Sequence, residues 1–319
     1  MEKEKLLAVC MPLMELRTID ACREMLDKYC SCFFEIILRH HKDSVSTQAQ
    51  ADTRILFQMM FSKALNVQLL LNGVGYDNRK SCLNKIIDPT ILYTVARNIY
   101  EALCAFELVN IIPDTDDKRI IIYHLFQISG LQYRQRFFTA ENMTQERQEL
   151  CNTEKQEIDE SLNIIRGTEL YFSLKQKDKG KIEKAIKNKE YQIMIDANNE
   201  VKLLGWKDIP RQFGAVDMDI GSLYTYFCLN AHPSCVSMFQ FREMYSKNNP
   251  EYISITIGCV RTCLMLLGIY LADYIKLFPQ ILETYKTFPV ENQVLLDFPN
   301  VLARGTDYSI ADSCKLLDD

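Results

Sequence analysis

Ile253 to Tyr274 runs ISITIGCVRTCLMLLGIYLADY, the longest apolar stretch in the chain. It is long enough to cross a bilayer, so its reading decides whether this is a membrane protein. Arg261 stands in its middle and Asp273 near its end. A charge at the centre of a spanning helix costs about 2.5–3.5 kcal/mol on insertion scales. A lone apolar segment offers such a charge no partner within the bilayer. A helix that is apolar on most sides is instead the central helix of an all-helical protein. Arg261 can then reach a carboxylate or a helix C-terminus, or run its apolar stem to the surface. Cys259 and Cys263, four residues apart, share one packed face.

The rest of the chain agrees with that reading. Its 319 residues hold 11 Gly and 9 Pro, too few chain breakers for a many-turned β fold. Leu16 to His41 and Asp52 to Leu71 carry apolar residues at helical spacing, and Asn72-Gly73 marks the end of the second. Asp88 followed by Pro89 is a helix start, and Pro113 stops that helix. Another helix is expected from Lys118 to about Phe138. Asp196 to Asn199 forms a turn between short extended pieces, hence a small hairpin. Helices resume near Asp219, break at His232-Pro233-Ser234 and continue to about Met244, before a loop at Asn248-Asn249-Pro250. One more helix follows Pro279. The expected fold class is therefore all-α, with a protruding charged helical segment and at most one small β-hairpin. The expected organisation is an N-terminal helical part over 1–140 and a charged insertion or hairpin over 141–200. A C-terminal part over 201–290 completes the same core, and 291–319 forms a tail.

The net charge is -5, so the chain as a whole does not present a nucleic-acid footprint. Residues 141–190 carry far more charge than the 25% of the whole, acidic first and then basic. The lysines from Lys175 to Lys189 are the only segment suited to a phosphate backbone. Asp178 and Glu183 dilute it, and a solvated helix face is the expectation. Twelve cysteines lie mostly in apolar runs, where a thiol acts as a small hydrophobe. A reducing, cytoplasmic location with no membrane attachment is expected. The Leu6–Met14 run, broken by Pro12, is too short and lacks the cleavage site of a signal peptide.

Two polar constellations stand out on apolar helices. Arg97 and Glu101 lie one turn apart on one helix face. The only Trp of the chain, Trp206, begins a segment that passes Arg211, Tyr224 and Asn230 and ends in His232-Pro233-Ser234. His232 is biased out of the helical region by the proline after it, and Ser234 is placed to cap the next helix. Arg97, Glu101 and His232 are the candidate catalytic or binding trio, expected to share one polar pocket. Trp206, Arg211, Tyr224, Asn230 and Ser234 are the candidate binding residues. Cys30, Cys32, His40 and His41 do not converge as four zinc ligands would, and neither a metal nor a cofactor is expected.

The helix Ala96-Arg97-Asn98-Ile99-Tyr100-Glu101, the later Tyr133-Arg134-Gln135-Arg136-Phe137, and the Trp206…Tyr224…His232-Pro233-Ser234 segment together resemble a family of mainly bacterial all-helical proteins classed as a domain of unknown function. The resemblance covers roughly residues 50 to 275; members typically carry Ser where Cys228 stands. It implies an intracellular helical protein and no established activity, with only a loose association with bacterial defence; the expected mode of action is through a protein partner, self-association or a small ligand at the Arg97/Glu101/His232 pocket. A second reading starts from Arg119 and His124, whose Arg-x-x-x-x-His spacing resembles the signature of the HEPN ribonucleases. Those metal-independent enzymes use the pair on RNA at a dimer interface. Ile120 and the mid-chain position depart from that pattern.

Overall fold

The computed structural model describes residues 3–215, 220–243 and 250–317. Thirteen α-helices and two short strand pairs are formed among them. The chain divides into two compact units, Met1–Cys104 with Gly214–Asp319, and Ala105–Phe213.

The first unit begins with α1 (Lys3–Glu15), α2 (Ile19–His40) and α3 (Gln48–Leu70). Thr18 and Thr47 start α2 and α3, each hydroxyl accepting from a backbone N–H three residues on; this satisfies a donor that the first turn would otherwise leave bare. Gly73, with φ of +69°, takes the chain out of α3; a side chain there would strike the Ile86 carbonyl. The strands β1 (Val74–Asp77) and β2 (Cys82–Ile86) follow as an antiparallel pair. This hairpin is additional to the one expected. The residues of β1, and Cys82, Leu83 and Lys85 of β2, are solvent-exposed, so the hairpin leaves no apolar pattern to read; the Asp77 and Asn78 carboxyl and amide oxygens hold its turn by accepting from Arg79, Lys80 and Ser81 N–H groups. Helix α4 (Pro89–Phe106) starts at the Asp88-Pro89 signal, with Asp88 accepting from Thr90 N–H at 2.8 Å. Its last turn widens into a π-helical turn, Glu107–Ile111.

After the second unit the chain returns as α9 (Ile220–Ala231), α10 (Cys235–Glu243), α11 (Pro250–Leu277), α12 (Ile281–Lys286) and α13 (Val290–Arg304). The decisive helix is α11. By length and composition it could cross a membrane, with mean hydropathy 1.9, but 78% of that stretch is buried within the protein. It packs against α2, α3 and α13. Phe57 stacks on Tyr274 at 4.1 Å between ring centres and on Phe33 at 4.8 Å. Arg261 donates to the Glu15 and Leu16 carbonyls at the end of α1, and Asp273 pairs with Arg304 of α13. Cys259 and Cys263 are buried thiols.

Residues 291–319 are not a tail. Helix α13 buries Val294, Leu295, Leu296, Asp297, Asn300 and Arg304, and two helices rather than one follow Pro279. Its polar residues are buried because they pair with one another, which no apolar periodicity records.

The second unit holds α5 (Asp116–Gln135), α6 (Gln145–Gly167), α7 (Glu169–Ser173), α8 (Gln176–Asn188) and the hairpin β3 (Ile193–Ile195)–β4 (Val201–Leu203). Helix α5 packs on α6, α8 and β3. Ile121, Leu125, Ile128, Ile165, Ile182 and Val201 are buried. The unit therefore starts at 105 and ends at 213, wider than the insertion expected over 141–200. The charged segment is folded around apolar residues of its own. Residues 219 and 244–249, which include part of the expected helix ends and the Asn248-Asn249 loop, lie outside the described residues.

Candidate functional site

Helix α4 presents Arg97 and Glu101 on one face, and α9 runs beside it. Arg97 Nε donates to Glu101 Oε1 at 2.9 Å, Nη2 donates to the Tyr224 hydroxyl at 3.1 Å, and Nη1 reaches His232 Nε2 at 2.8 Å. The guanidinium also sits over the Tyr224 ring, 5.2 Å from its centre. Residues 135 apart in sequence are thus joined through one side chain. Desolvation opposes the charge on Arg97, but the Glu101 carboxylate outweighs it, and the Arg97 pKa lies above its ordinary value. Partial burial raises the Tyr224 hydroxyl, against the lowering effect of Arg97.

The bond to His232 has a chemical consequence. A guanidinium can only donate, so Nε2 must offer its lone pair and the imidazole is the neutral tautomer protonated at Nδ1. His232 is then oriented as a donor on its other nitrogen. The chain turns at His232-Pro233. Ser234 caps α10 by accepting from Ser237 N–H at 3.0 Å, and Ser237 Oγ accepts from Ser234 N–H at 2.8 Å, a reciprocal box that fixes the corner.

Behind that corner lies a pocket of about 380 Å³ lined by Thr90, Asn230, His232, Pro233, Ser237, Met238, Phe241 and Arg242, among others. Asn230 is 1% exposed. Its Nδ2 donates to the Tyr226 carbonyl at 2.8 Å, which fixes the amide orientation. Its Oδ1 has no hydrogen-bond partner among the described residues. Met238, Phe241 and Arg242 carried no sequence signal; their role in the wall comes from the turn at Pro233.

The other candidates fall elsewhere. Trp206 and Arg211 belong to the unit Ala105–Phe213, whereas Tyr224, Asn230 and Ser234 belong with His232. Arg211 lies on the 3-10 turn Pro210–Phe213 and borders an open depression with Lys181, Lys202 and Asp208. Arg119 is half-exposed and pairs with Asp116 at 2.6 Å. His124 is half-buried on α5 with Nδ1 3.1 Å from Ser161 Oγ of α6, and burial lowers its pKa. Lysines of the 175–189 segment are largely engaged within the unit. Lys175 and Lys177 face Glu200, Lys181 bonds Asp178, and Lys179 donates to the Phe172 carbonyl. His40 bridges Asp43 and Thr284 at 2.7 Å each. Burial pushes the Cys30 thiol up to about 12. Among the described residues no group of three or more His, Cys, Asp or Glu is placed to hold a metal ion.

No protein-family model matches this chain, and neither does any curated protein or solved structure.

Proposed function

We propose that the protein is an intracellular helical module that binds a small polar molecule in the pocket at the α9–α10 corner and performs no chemistry on it. The observation that carries this is the Asn230 carbonyl oxygen, buried in the pocket wall without a partner. Leaving such a group unpaired costs about 1–3 kcal/mol, and a small shift of the Asn230 side chain towards a ligand N–H or O–H would recover it. His232, held by Arg97 with Nδ1–H outward from that bond, supplies a donor to the same ligand. Met238 and Phe241 supply apolar walls, in the mixture usual for small-ligand sites. Glu101 and Tyr224 act on the ligand only through Arg97, as positioning residues. Twelve free cysteines, most of them buried, support a reducing compartment.

The test is thermal stabilisation of the full chain by a panel of nucleosides, primary amides and free amino acids. At a hundredfold excess over Kd a ligand adds about 2.7 kcal/mol of stability. At least one compound is expected to stabilise the wild type and to lose its effect on Asn230→Leu and His232→Ala, while keeping it on Arg119→Ala. A panel without any stabiliser, or one that acts equally on Asn230→Leu, would sink the reading.

A further inference from the structure

A second cavity lies elsewhere in the same unit, and its reading does not depend on the His232 pocket. It measures about 520 Å³ and is walled by five helices, with Leu13 from α1, Leu223 from α9, Leu264 and Met265 from α11, and Phe298 from α13 among its lining residues. Met25 of α2 closes one side. Methionine side chains adapt to irregular apolar shapes, and the volume lies within the range of small-molecule sites.

One cation borders this apolar space. Arg261 lines the cavity and is exposed to solvent. Its Nη2 donates to the Glu15 and Leu16 carbonyls, the latter at 3.1 Å, where the chain leaves α1 through Leu16 at φ of +45°. Arg261 makes no ion pair with any described carboxylate. A guanidinium has five N–H donors, and the bonds Arg261 makes to the α1 carbonyls use only Nη2. The mouth of the cavity therefore holds a positive charge with donors to spare; Glu15 and Thr262 also line the cavity, but the Glu15 carboxylate is held by Arg17, and the remaining lining is apolar. We infer that this cavity binds a single-chain anionic amphiphile, its hydrocarbon tail among the five helices and its carboxylate or phosphate on Arg261.

Arg261 also closes the end of α1, and a purely structural role there would leave ligand binding untouched. Arg261→Gln separates the two, because glutamine still donates to the α1 carbonyls but carries no charge. The experiment is calorimetric titration of the full chain with laurate, lauryl phosphate and lauryl alcohol, each below its micellar concentration. The wild type is expected to bind at least one of the two anions at least about tenfold more tightly than the alcohol, the difference a charge-assisted hydrogen bond supplies. Arg261→Gln should remove that difference and leave the alcohol unchanged. Leu223→Trp, which fills the cavity and leaves the α1 cap alone, should abolish all three; thermal melts establish that both variants remain folded. Tighter binding of laurate identifies a free fatty acid as the ligand, and tighter binding of lauryl phosphate identifies a phosphorylated lipid head. Absence of binding by both anions, equal affinity for the alcohol, or undiminished anion binding by Arg261→Gln overturns the assignment.

Discussion

In the unit of Met1–Cys104 and Gly214–Asp319, buried charge is gathered on α13 and joined into one network. Asp297 accepts from Asn300 Nδ2, from Ser309 Oγ at 2.6 Å and from Ile310 N–H at 2.9 Å. Asn300 Oδ1 accepts from Arg304 Nε, and Arg304 Nη1 reaches Asp273 of α11 at 2.5 Å. In the unit Ala105–Phe213, two buried carboxylates each meet a half-exposed cation. Glu154 pairs with Arg134, and Asp178 with Lys181 at 2.9 Å. The first arrangement is assembled from residues far apart in sequence and sealed from water. The second uses neighbours within one continuous stretch and leaves the cation wet. A sealed network raises the cost of losing one member, since the survivor cannot turn to solvent.

The largest effect should come from Arg304→Ala. It strands Asp273 at 4% exposure, and loss of one partner of a buried pair costs about 3–5 kcal/mol. Arg134→Ala should cost clearly less, because Gln135 still donates to Glu154 and water reaches the Arg134 position. Urea denaturation of both variants measures the difference, and equal losses would break the contrast.

Two glycine replacements should change stability in opposite directions. A Cβ at Gly268 of α11 would stand 2.8 Å from the Tyr29 hydroxyl and 3.2 Å from Asn300 N. Gly268→Ala is expected to cost about 1–3 kcal/mol through overpacking. A Cβ at Gly180 of α8 meets nothing within 4 Å, so Gly180→Ala should stabilise by about 0.5–1 kcal/mol through backbone entropy. Thermal melts with the same sign for both would show that α11 is not packed as closely as described.

Acid should sharpen the same contrast. Burial raises the Asp297 carboxyl above its ordinary 3.8. The folded state then binds a proton that the unfolded state has released, so this group's contribution falls as pH rises above 3.8. Asp196, bonded by Lys202 and by the Glu200 and Asn198 N–H groups, is lowered to about 2. Its contribution is present above 3.8 and is lost as pH falls from 3.8 towards 2. Asp297→Asn and Asp196→Asn should each flatten the stability profile in its own window, read by hydrogen exchange within each unit. The smallest effect is expected at Arg97 and Glu101, which are about one-quarter and one-third exposed. A double-mutant cycle should give a coupling of about 0.3–0.5 kcal/mol, which marks that pair as an orienting device for His232 rather than a mainstay of the fold.

How much of this was legible before the structure differs by element. Helix α11 was readable as a packed helix because its apolar run carries embedded charges that find partners within the protein. The start of α4 was readable from Asp88-Pro89, and the β3–β4 hairpin from its Asp-Asn turn. Helix α13 was not, because Asp297, Asn300 and Arg304 look like surface residues until their partners are known, and Pro299 interrupts the pattern. The spacing of Arg97 and Glu101 showed that they pair, and resemblance suggested His232 as their neighbour. Nothing in the sequence marks the unpaired oxygen of Asn230, since satisfaction of a hydrogen bond belongs to three dimensions. Trp206 and Arg211 follow the same motif in sequence, but they belong to a different unit from His232.

The bond from Cys10 to the Glu291 carbonyl spans 281 residues, and that span sets a timetable for synthesis. A ribosome adding about 5–20 residues per second needs on the order of 15–55 s to travel between those positions. For most of that interval α1, α2 and α3 have been made without α11 and α13, their main covering surfaces. Ala105–Phe213, continuous in sequence, can fold while they wait. The nascent first unit is therefore a natural client for a chaperone that shields apolar helices, and the newborn chain is most prone to aggregate before residue 304 leaves the tunnel.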